Sequence, residues 1–357
     1  MPADQCSFQN NKHFLMTETK STKCRIAIDA MGGDFAPKHE ILGAIAAMKA
    51  DNSFELILIG DKSKILEVAK QENVSIDEKL IYHTSQMIDM HDKPTDAIKS
   101  KPDSSLVVGA KLVKEKKADA FVSAGNTGAV AAVSTLLMGR LQNVERPTIG
   151  SYIPSKNNAT FVFDVGAFVD VKPNHLLGYA ILGNIFVKEL YNIQNPTIGL
   201  LSVGEEDEKG NKLVKETSQL LRETNLNFIG NVEGRDILNG KCNIVLCDGF
   251  VGNILLKFGE SVPGFMKYLL KQHSETSLIE KIKIGLFNNT LKKALSPLNP
   301  ELYGGVPLLG INGISIIGHG SSSPLAIKNM ILRAKEMYDK NLLIKFEEAL
   351  KPYAVKK

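Results

Sequence analysis

With 357 residues, 43% of them apolar and 23% charged, the chain has ordinary globular composition and the length for one large α/β domain or two smaller ones. Its 43 basic and 39 acidic residues leave a net charge of +4, too small to indicate nucleic acid, and the lack of Trp argues against single-strand stacking platforms. No C-x-x-C pair joins Cys6, Cys24, Cys242 and Cys247, which speaks against zinc and thioredoxin-type sites, and no apolar run reaches the ~18 residues of a membrane span.

Residues 1–23 are polar without an apolar run, so they are expected to form a disordered leader rather than a signal peptide. The remainder, 24–357, is expected to form a single α/β domain. Strands are predicted at Arg25–Asp29, Glu55–Gly60, Lys79–His83, Asp119–Ser123, Phe161–Asp164, Thr197–Val203, Leu226–Gly230, Asn243–Asp248 and Gly313–Ile317. They are short and rich in Ile, Val and Leu, as strands covered on both faces are. Helices are predicted at Lys38–Lys49, Ser104–Lys116, Thr127–Gly139, His175–Tyr191, Asn211–Glu223 and Pro324–Ala349. The alternation implies three layers, a mostly parallel sheet with helices on both faces.

Residues 252–297 break the alternation with two successive helical stretches, Asn253–Gln272 and Leu278–Leu295. Pro263-Gly264 is expected to kink or split the first. The second sets Leu278, Ile279, Ile282, Leu286, Phe287 and Leu291 against Lys281, Lys283, Lys292 and Lys293. Such a hairpin needs somewhere to bury its apolar stripe. A twin hairpin in a homodimer is the commoner solution, and a basic amphipathic helix resting on an anionic membrane is the sharper one; the two can coexist.

Glycine-rich turns stand where predicted strands end and helices begin. They are Asp29-Ala-Met-Gly-Gly-Asp-Phe-Ala-Pro37, Ser123-Ala-Gly-Asn-Thr-Gly128, Asp164-Val-Gly166, Val203-Gly204 running on to Lys209-Gly-Asn211, and Asp248-Gly-Phe-Val-Gly-Asn253. Ligands of open parallel sheets bind outside the carboxyl ends of the strands, and helix N-termini there suit anions, above all phosphate. Five such turns are expected to form one anion-binding rim. G-x-x-x-x-G-K-[ST], G-x-G-x-x-G, G-x-S-x-G and H-E-x-x-H are missing, so nucleotide hydrolysis, dinucleotide binding and serine or zinc hydrolysis find no support. The rim suits a reaction whose substrates supply nucleophile and leaving group while the protein positions them and stabilises charge.

Several of these residues have two readings. Gly32 and Gly33 let backbone approach a ligand, while Asp29 and Asp34 either orient amides or a cation, or cap the next helix. Asn126 and Thr127, flanked by Gly125 and Gly128, donate to an oxyanion or serve as N-caps. Lys209, among acids, is either solvated or bound to phosphate or a developing oxyanion. His319, in Gly318-His-Gly-Ser-Ser-Ser323, is either structural or catalytic.

Taken together, these blocks resemble the PlsX phosphate acyltransferases of bacterial phospholipid synthesis. The likeness also rests on Glu145-Arg-Pro147, Lys172-Pro173 with His175-Leu176, Phe228-Ile-Gly-Asn-Val-Glu233, Tyr303-Gly-Gly305 and His319-Gly-Ser-Ser322, in order from about Arg25 to the C-terminal helix. The resemblance implies that inorganic phosphate attacks the thioester of a long-chain acyl group on acyl carrier protein, giving acyl phosphate for a membrane glycerol-3-phosphate acyltransferase. It also implies an isocitrate/isopropylmalate dehydrogenase-like fold, a homodimer, and a helical hairpin insertion at about 252–297 for dimer and membrane contact. The protein is then expected to be cytoplasmic and peripherally membrane-associated, with no metal, no cofactor and no nucleic acid partner.

The resemblance further implies Lys209, His319 and Asn253 as catalytic residues. It places Asp29, Gly32, Gly33, Asp34, Gly125, Asn126, Thr127, Gly128, Asp164, Gly166, Lys172, Asn211, Asn231, Glu233, Asp248, Gly249, Gly252, Ser321 and Ser322 around phosphate or substrate. An acidic carrier protein would dock on Lys111, Lys114, Lys116 and Lys117, or on Lys281, Lys283, Lys292 and Lys293, each of which also reads as a solvated helix face. Phe168 stands where the family usually has Asn, and Asn174 where it usually has Glu. A coenzyme A thioester as donor, or a membrane-surface scaffold that binds phosphate without turnover, are the alternative functions.

Overall fold

The computed structural model describes residues 23–89, 92 and 94–353, so nearly all of the expected leader lies outside the described residues. The chain runs β1 (Cys24–Asp29), α1 (Lys38–Ala50), β2 (Phe54–Gly60), α2 (Lys62–Gln71), β3 (Ile81–His83), α3 (Pro94–Ser100), α4 (Ser105–Lys114), β4 (Ala120–Ser123) and α5 (Thr127–Val133). It continues through β5 (Thr148–Ser155), β6 (Asn158–Phe163), α6 (Pro173–Tyr191), β7 (Ile198–Leu201), α7 (Lys212–Arg222), β8 (Phe228–Val232), α8 (Gly234–Asn239) and β9 (Ile244–Leu246). It closes with α9 (Gly249–Ser274), α10 (Leu278–Ala294), β10 (Val306–Leu309), β11 (Ile314–Ile317), α11 (Pro324–Asp339) and α12 (Leu342–Leu350).

All eleven strands join one sheet in the order β3-β2-β1-β4-β11-β10-β5-β6-β9-β7-β8. Alternate strand residues enter two cores. Ile26, Ile28, Val122, Phe161, Phe163, Leu200 and Ile316 pack with α6, α11 and α12 on one face. Ala27, Phe121, Val162, Val245 and Ile317 pack with α4 and α5 on the other. A period of two with both faces covered is why the strands read as continuous apolar runs. The three expected layers are therefore present.

The strand direction changes inside the sheet. β10 is antiparallel to both β11 and β5, and β5 is antiparallel to β6, whereas the remaining pairings are parallel. The carboxyl ends of β1, β4 and β11 thus face one way, and those of β6, β7, β8 and β9 face the other. The expected single rim is two rims at opposite ends of the strands.

Other departures are local. The predicted helix Thr127–Gly139 gives way after Val133 to a π-turn over Ser134–Met138, ended by Gly139 at φ 83°. The predicted helix Pro324–Ala349 is broken by Asn341, whose left-handed φ of 53° turns the chain between α11 and α12. Pro263 does not split α9, which passes through it unbroken. α9 and α10 contact each other, and most of their residues are exposed.

Candidate active site

At the first rim the chain passes from β1 through α1 to β2 and on to β3 on one side, then returns to place β4 on the other side of β1. The crevice between the ends of β1 and β4 is therefore a topological switch point, where open α/β sheets bind ligands. Asp29 is buried there; its Oδ2 accepts from Ser123 Oγ at 2.7 Å, and its Oδ1 from the Met31 N–H at 3.2 Å. Ser123 Oγ also accepts from the Gly125 N–H at 3.1 Å, which ties the first two glycine turns together. The 318–323 turn joins them through the Asp34 N–H, which donates to the Gly320 carbonyl at 2.7 Å.

Glu40, on the first turn of α1, lies beneath this junction at 2% exposure. Gly33 covers it at φ +123°, and a Cβ there would come within 2.8 Å of Glu40 Oε1. Burial pushes the Glu40 carboxyl up to about 8, and it pushes the Asp29 carboxyl up against its Ser and N–H donors. Asp34 makes no cap for α1, whose N-cap is Pro37 without a side-chain bond. Asn126 does cap α5, accepting from the Ala129 N–H at 3.0 Å, and Thr127 and Gly128 are exposed at its first turn. His319 is exposed, with Nδ1 2.7 Å from Ser321 Oγ, while Ser322 is buried and its carbonyl meets His39 Nδ1 at 2.9 Å.

The second rim is organised by Asp164 at the end of β6. Its Oδ1 accepts from the N–H groups of Ile149, Gly166 and Ala167 at 3.0–3.1 Å, and its Oδ2 from Phe168 at 2.9 Å. Burial raises the Asp164 carboxyl, opposed by these backbone donors. Asp164 therefore shapes the 164–168 turn. Gly166 takes φ +134°, and a Cβ on it would meet Asn253 Nδ2 at 2.6 Å. The Asn253 amide itself donates to the Val165 carbonyl at 3.1 Å. Asp248 caps α9 through the Val251 N–H at 2.8 Å, and Gly249 and Gly252 let the helix sit against the Asp164 turn.

Lys209 is exposed in the loop after β7. Asn231, which the sequence places at substrate, is 4% exposed, and its Nδ2 donates to the carbonyls of Glu206 at 2.8 Å and Lys209 at 3.5 Å. It braces the loop that carries Lys209. Asn211 caps α7 through the Val214 N–H at 3.0 Å. Glu233 caps α8 and pairs with Arg235 at 3.1 Å.

Beside the Asp164 turn opens a cleft of about 890 Å³ lined in part by Arg140, Glu145, Arg146, Phe168, Lys172 and His175. The His175 ring is fixed at both nitrogens: Nδ1 accepts from the Lys172 N–H at 3.0 Å, so Nε2 carries the proton that meets Glu145 Oε2 at 3.0 Å. Desolvation lowers the His175 pKa and Glu145 opposes it. The Arg140 guanidinium donates to the Glu145 carbonyl. Arg146 lies over the Phe168 ring, 4.7 Å from its centroid. Of this cleft only Lys172 is among the site residues implied by the sequence. Glu145-Arg-Pro147 and His175 stand in the family blocks without a role, and nothing in the sequence marks the loop from 139 as their partner.

Lys209, Asn253, Asp164 and Lys172 thus share one rim, whereas Asp29, Asp34, Asn126 and His319 share the other. α5 and the π-turn run from the first rim at Asn126 to the cleft at Thr135, a path on the order of 13 Å at helical rise. Among the described residues no group of three or more His, Cys, Asp or Glu side chains is placed to hold a metal ion. Cys24, Cys242 and Cys247 are buried free thiols.

Residues 24–345 match the model of a family described as fatty acid synthesis protein. A phosphate acyltransferase of Halothermothrix orenii is 46% identical over 321 residues, spanning 89% of this chain and 96% of the relative. Among solved structures, a phosphotransacetylase from Streptococcus pyogenes superposes with a TM-score of 0.60 at 16% identity, covering 89% of this chain and 94% of its own. A 4-hydroxythreonine-4-phosphate dehydrogenase from Klebsiella pneumoniae superposes with a TM-score of 0.51 at 11% identity, covering 90% of this chain and 99% of its own. At such identities the two structures speak for the fold alone.

Proposed function

Since this chain belongs to the family of fatty acid synthesis proteins that includes the phosphate acyltransferases, we propose that it moves a long-chain acyl group from acyl carrier protein to inorganic phosphate. The observation that carries this reading is the family match over residues 24–345, together with 46% identity to a phosphate acyltransferase along nearly its whole length. The chemistry fits a site without a side-chain nucleophile. A phosphate oxygen attacks the thioester carbon, the C=O pair moves to oxygen, and the intermediate collapses with loss of the thiolate. The thiolate takes the proton of the hydrogen phosphate, so atoms and charge balance as acyl phosphate and the free carrier thiol. A membrane glycerol-3-phosphate acyltransferase is the proposed consumer of the acyl phosphate.

The protein's share is positioning and charge stabilisation. Lys209 supplies an exposed ammonium for the oxyanion, and Asn253 an amide held in place by the Val165 carbonyl. Their rim is the proposed reacting centre. His319 stands at the far ends of the strands and is not brought to them within one chain. The single domain from residue 24 is proposed to work in the cytoplasm as a homodimer, with α9 and α10 as the hairpin that meets its twin and a membrane surface. Phe258 at 69% exposure, Phe265 at 61% and Leu286 at 77% support a covering partner there. No described helix is long and apolar enough to cross a membrane.

The deciding experiment is phosphate-dependent release of thiol from palmitoyl-acyl carrier protein, with the acyl product trapped by hydroxylamine. Release that follows phosphate and yields acyl phosphate is expected. Faster release from palmitoyl-coenzyme A than from the carrier thioester would move the donor to coenzyme A, and no release from either would leave the scaffold.

A further inference from the structure

The cleft beside the Asp164 turn is a built site that the transfer chemistry above does not use. Its charged lining is three cations, Arg140, Arg146 and Lys172, against the single carboxylate of Glu145. Three of these four charged groups are anchored. Glu145 is held by His175, Arg140 by the Glu145 carbonyl, and Arg146 by the face of Phe168. Stacking on a ring uses the flat face of a guanidinium and leaves its N–H edge available, the edge that grips a phosphate with two parallel bonds. Among the described residues the Arg146 guanidinium makes no hydrogen bond, so its edge is free.

Behind His175, one turn further along α6, Tyr179 is fully buried in the core and its hydroxyl has no hydrogen-bond partner, but it does not line the cleft.

The shape narrows the ligand. A volume of about 890 Å³ is far more than one phosphate ion needs and falls within the range of sites for extended organic ligands. Beyond the cations, Leu141, Val144 and Leu136, the last 62% exposed, form an apolar wall, with Thr135 and Asn143 as polar lining beside it. We propose that this cleft receives the phosphopantetheine arm of the acyl donor, with Arg146, Arg140 and Lys172 on its phosphate and the apolar wall along its length. The inference rests on the transferase reading for the identity of the donor. It leaves the reacting end of the arm at the neighbouring Asp164–Asn253 turn.

The test compares 4′-phosphopantetheine with pantetheine, which lacks the phosphate, by calorimetric titration of the full-length protein. Binding at least tenfold tighter for the phosphorylated arm is expected, with the ratio falling to about twofold or less in Arg146→Ala. Lys172→Ala, at an exposed position, is the second variant and should cut the ratio at least threefold even if the first fails to fold. Equal binding of the two arms by the wild type overturns the proposal. So does displacement of the phosphorylated arm by inorganic phosphate at its own KM, which would make the cleft the co-substrate's site. Thiol release from palmitoyl-acyl carrier protein is measured on the same preparation. The ratio without release overturns the transferase reading and keeps the phosphate site; release without the ratio overturns the site alone.

Discussion

Glu40 is the residue whose chemistry differs most from what its position in the sequence suggests. A carboxylate in the first turn of a helix ordinarily favours the N-terminus. Here it is sealed under Gly33, its Oε2 finds no partner, and its pKa is pushed up to about 8. The folded state therefore holds this proton where the unfolded chain has lost it, so the contribution of Glu40 to stability falls as pH rises from about 4.5 towards 8. Glu40→Gln removes that dependence. Urea unfolding should show it more stable than the parent by about 1 kcal/mol or more at pH 8, with the gap closing towards pH 4; a gap that does not change with pH would mean that Glu40 is already ionised. Lys209 makes the opposite case, exposed and set in a braced loop. Lys209→Ala should lower kcat at least tenfold, about 1.4 kcal/mol of barrier, with little change in the KM for phosphate. Unchanged kcat would remove it from the reacting centre. The sequence singles out Lys209 because a lone cation in a glycine turn is conspicuous. It is silent on Tyr179, because a tyrosine in an apolar helix looks like any core residue until its hydroxyl is seen to be alone.

Among the elements, those that the sequence shows plainly are apolar runs leading into glycine turns, such as β1, β4, β6 and β9. β5 and β10 were not legible for identifiable reasons. β5 carries Gly150 and Pro154 within Thr148–Ser155, and β10 has four residues with Pro307 among them. Proline cannot donate to a ladder and usually signals an edge, yet β10 lies between β11 and β5. The two exposed helices pose a different question, since nothing among the described residues covers most of their apolar side chains. Leu286→Asp on α10 places a charge in that face. If this face makes the proposed contacts, the variant should raise the dissociation constant of the proposed dimer at least tenfold in sedimentation, or release the protein from anionic liposomes. A variant that keeps both the dimer and the liposome binding of the parent would take this face of α10 out of both contacts.

At the scale of the whole molecule, one apolar core runs beneath both halves of the sheet, joining β1, β4 and β11 to β6, β7 and β9 through α6, α11 and α12. The two halves should therefore lose structure together. Far-ultraviolet circular dichroism and tyrosine fluorescence are expected to report one urea midpoint; two separated midpoints would mean that each half stands alone. The same direction change that splits the rims escaped the sequence, because the order of strands along a chain carries no record of which way each one points. It has an electrical consequence. In a sheet of uniform direction the helix dipoles add, giving the molecule a positive and a negative pole. Here α1, α5 and α11 oppose α6, α7 and α9, so the two sets largely cancel. For the proposed acidic carrier protein, the helix dipoles would then add almost no net orienting field at a distance. The carrier would be guided only within about a Debye length, some 8–10 Å, by whichever cluster of cations it happens to pass.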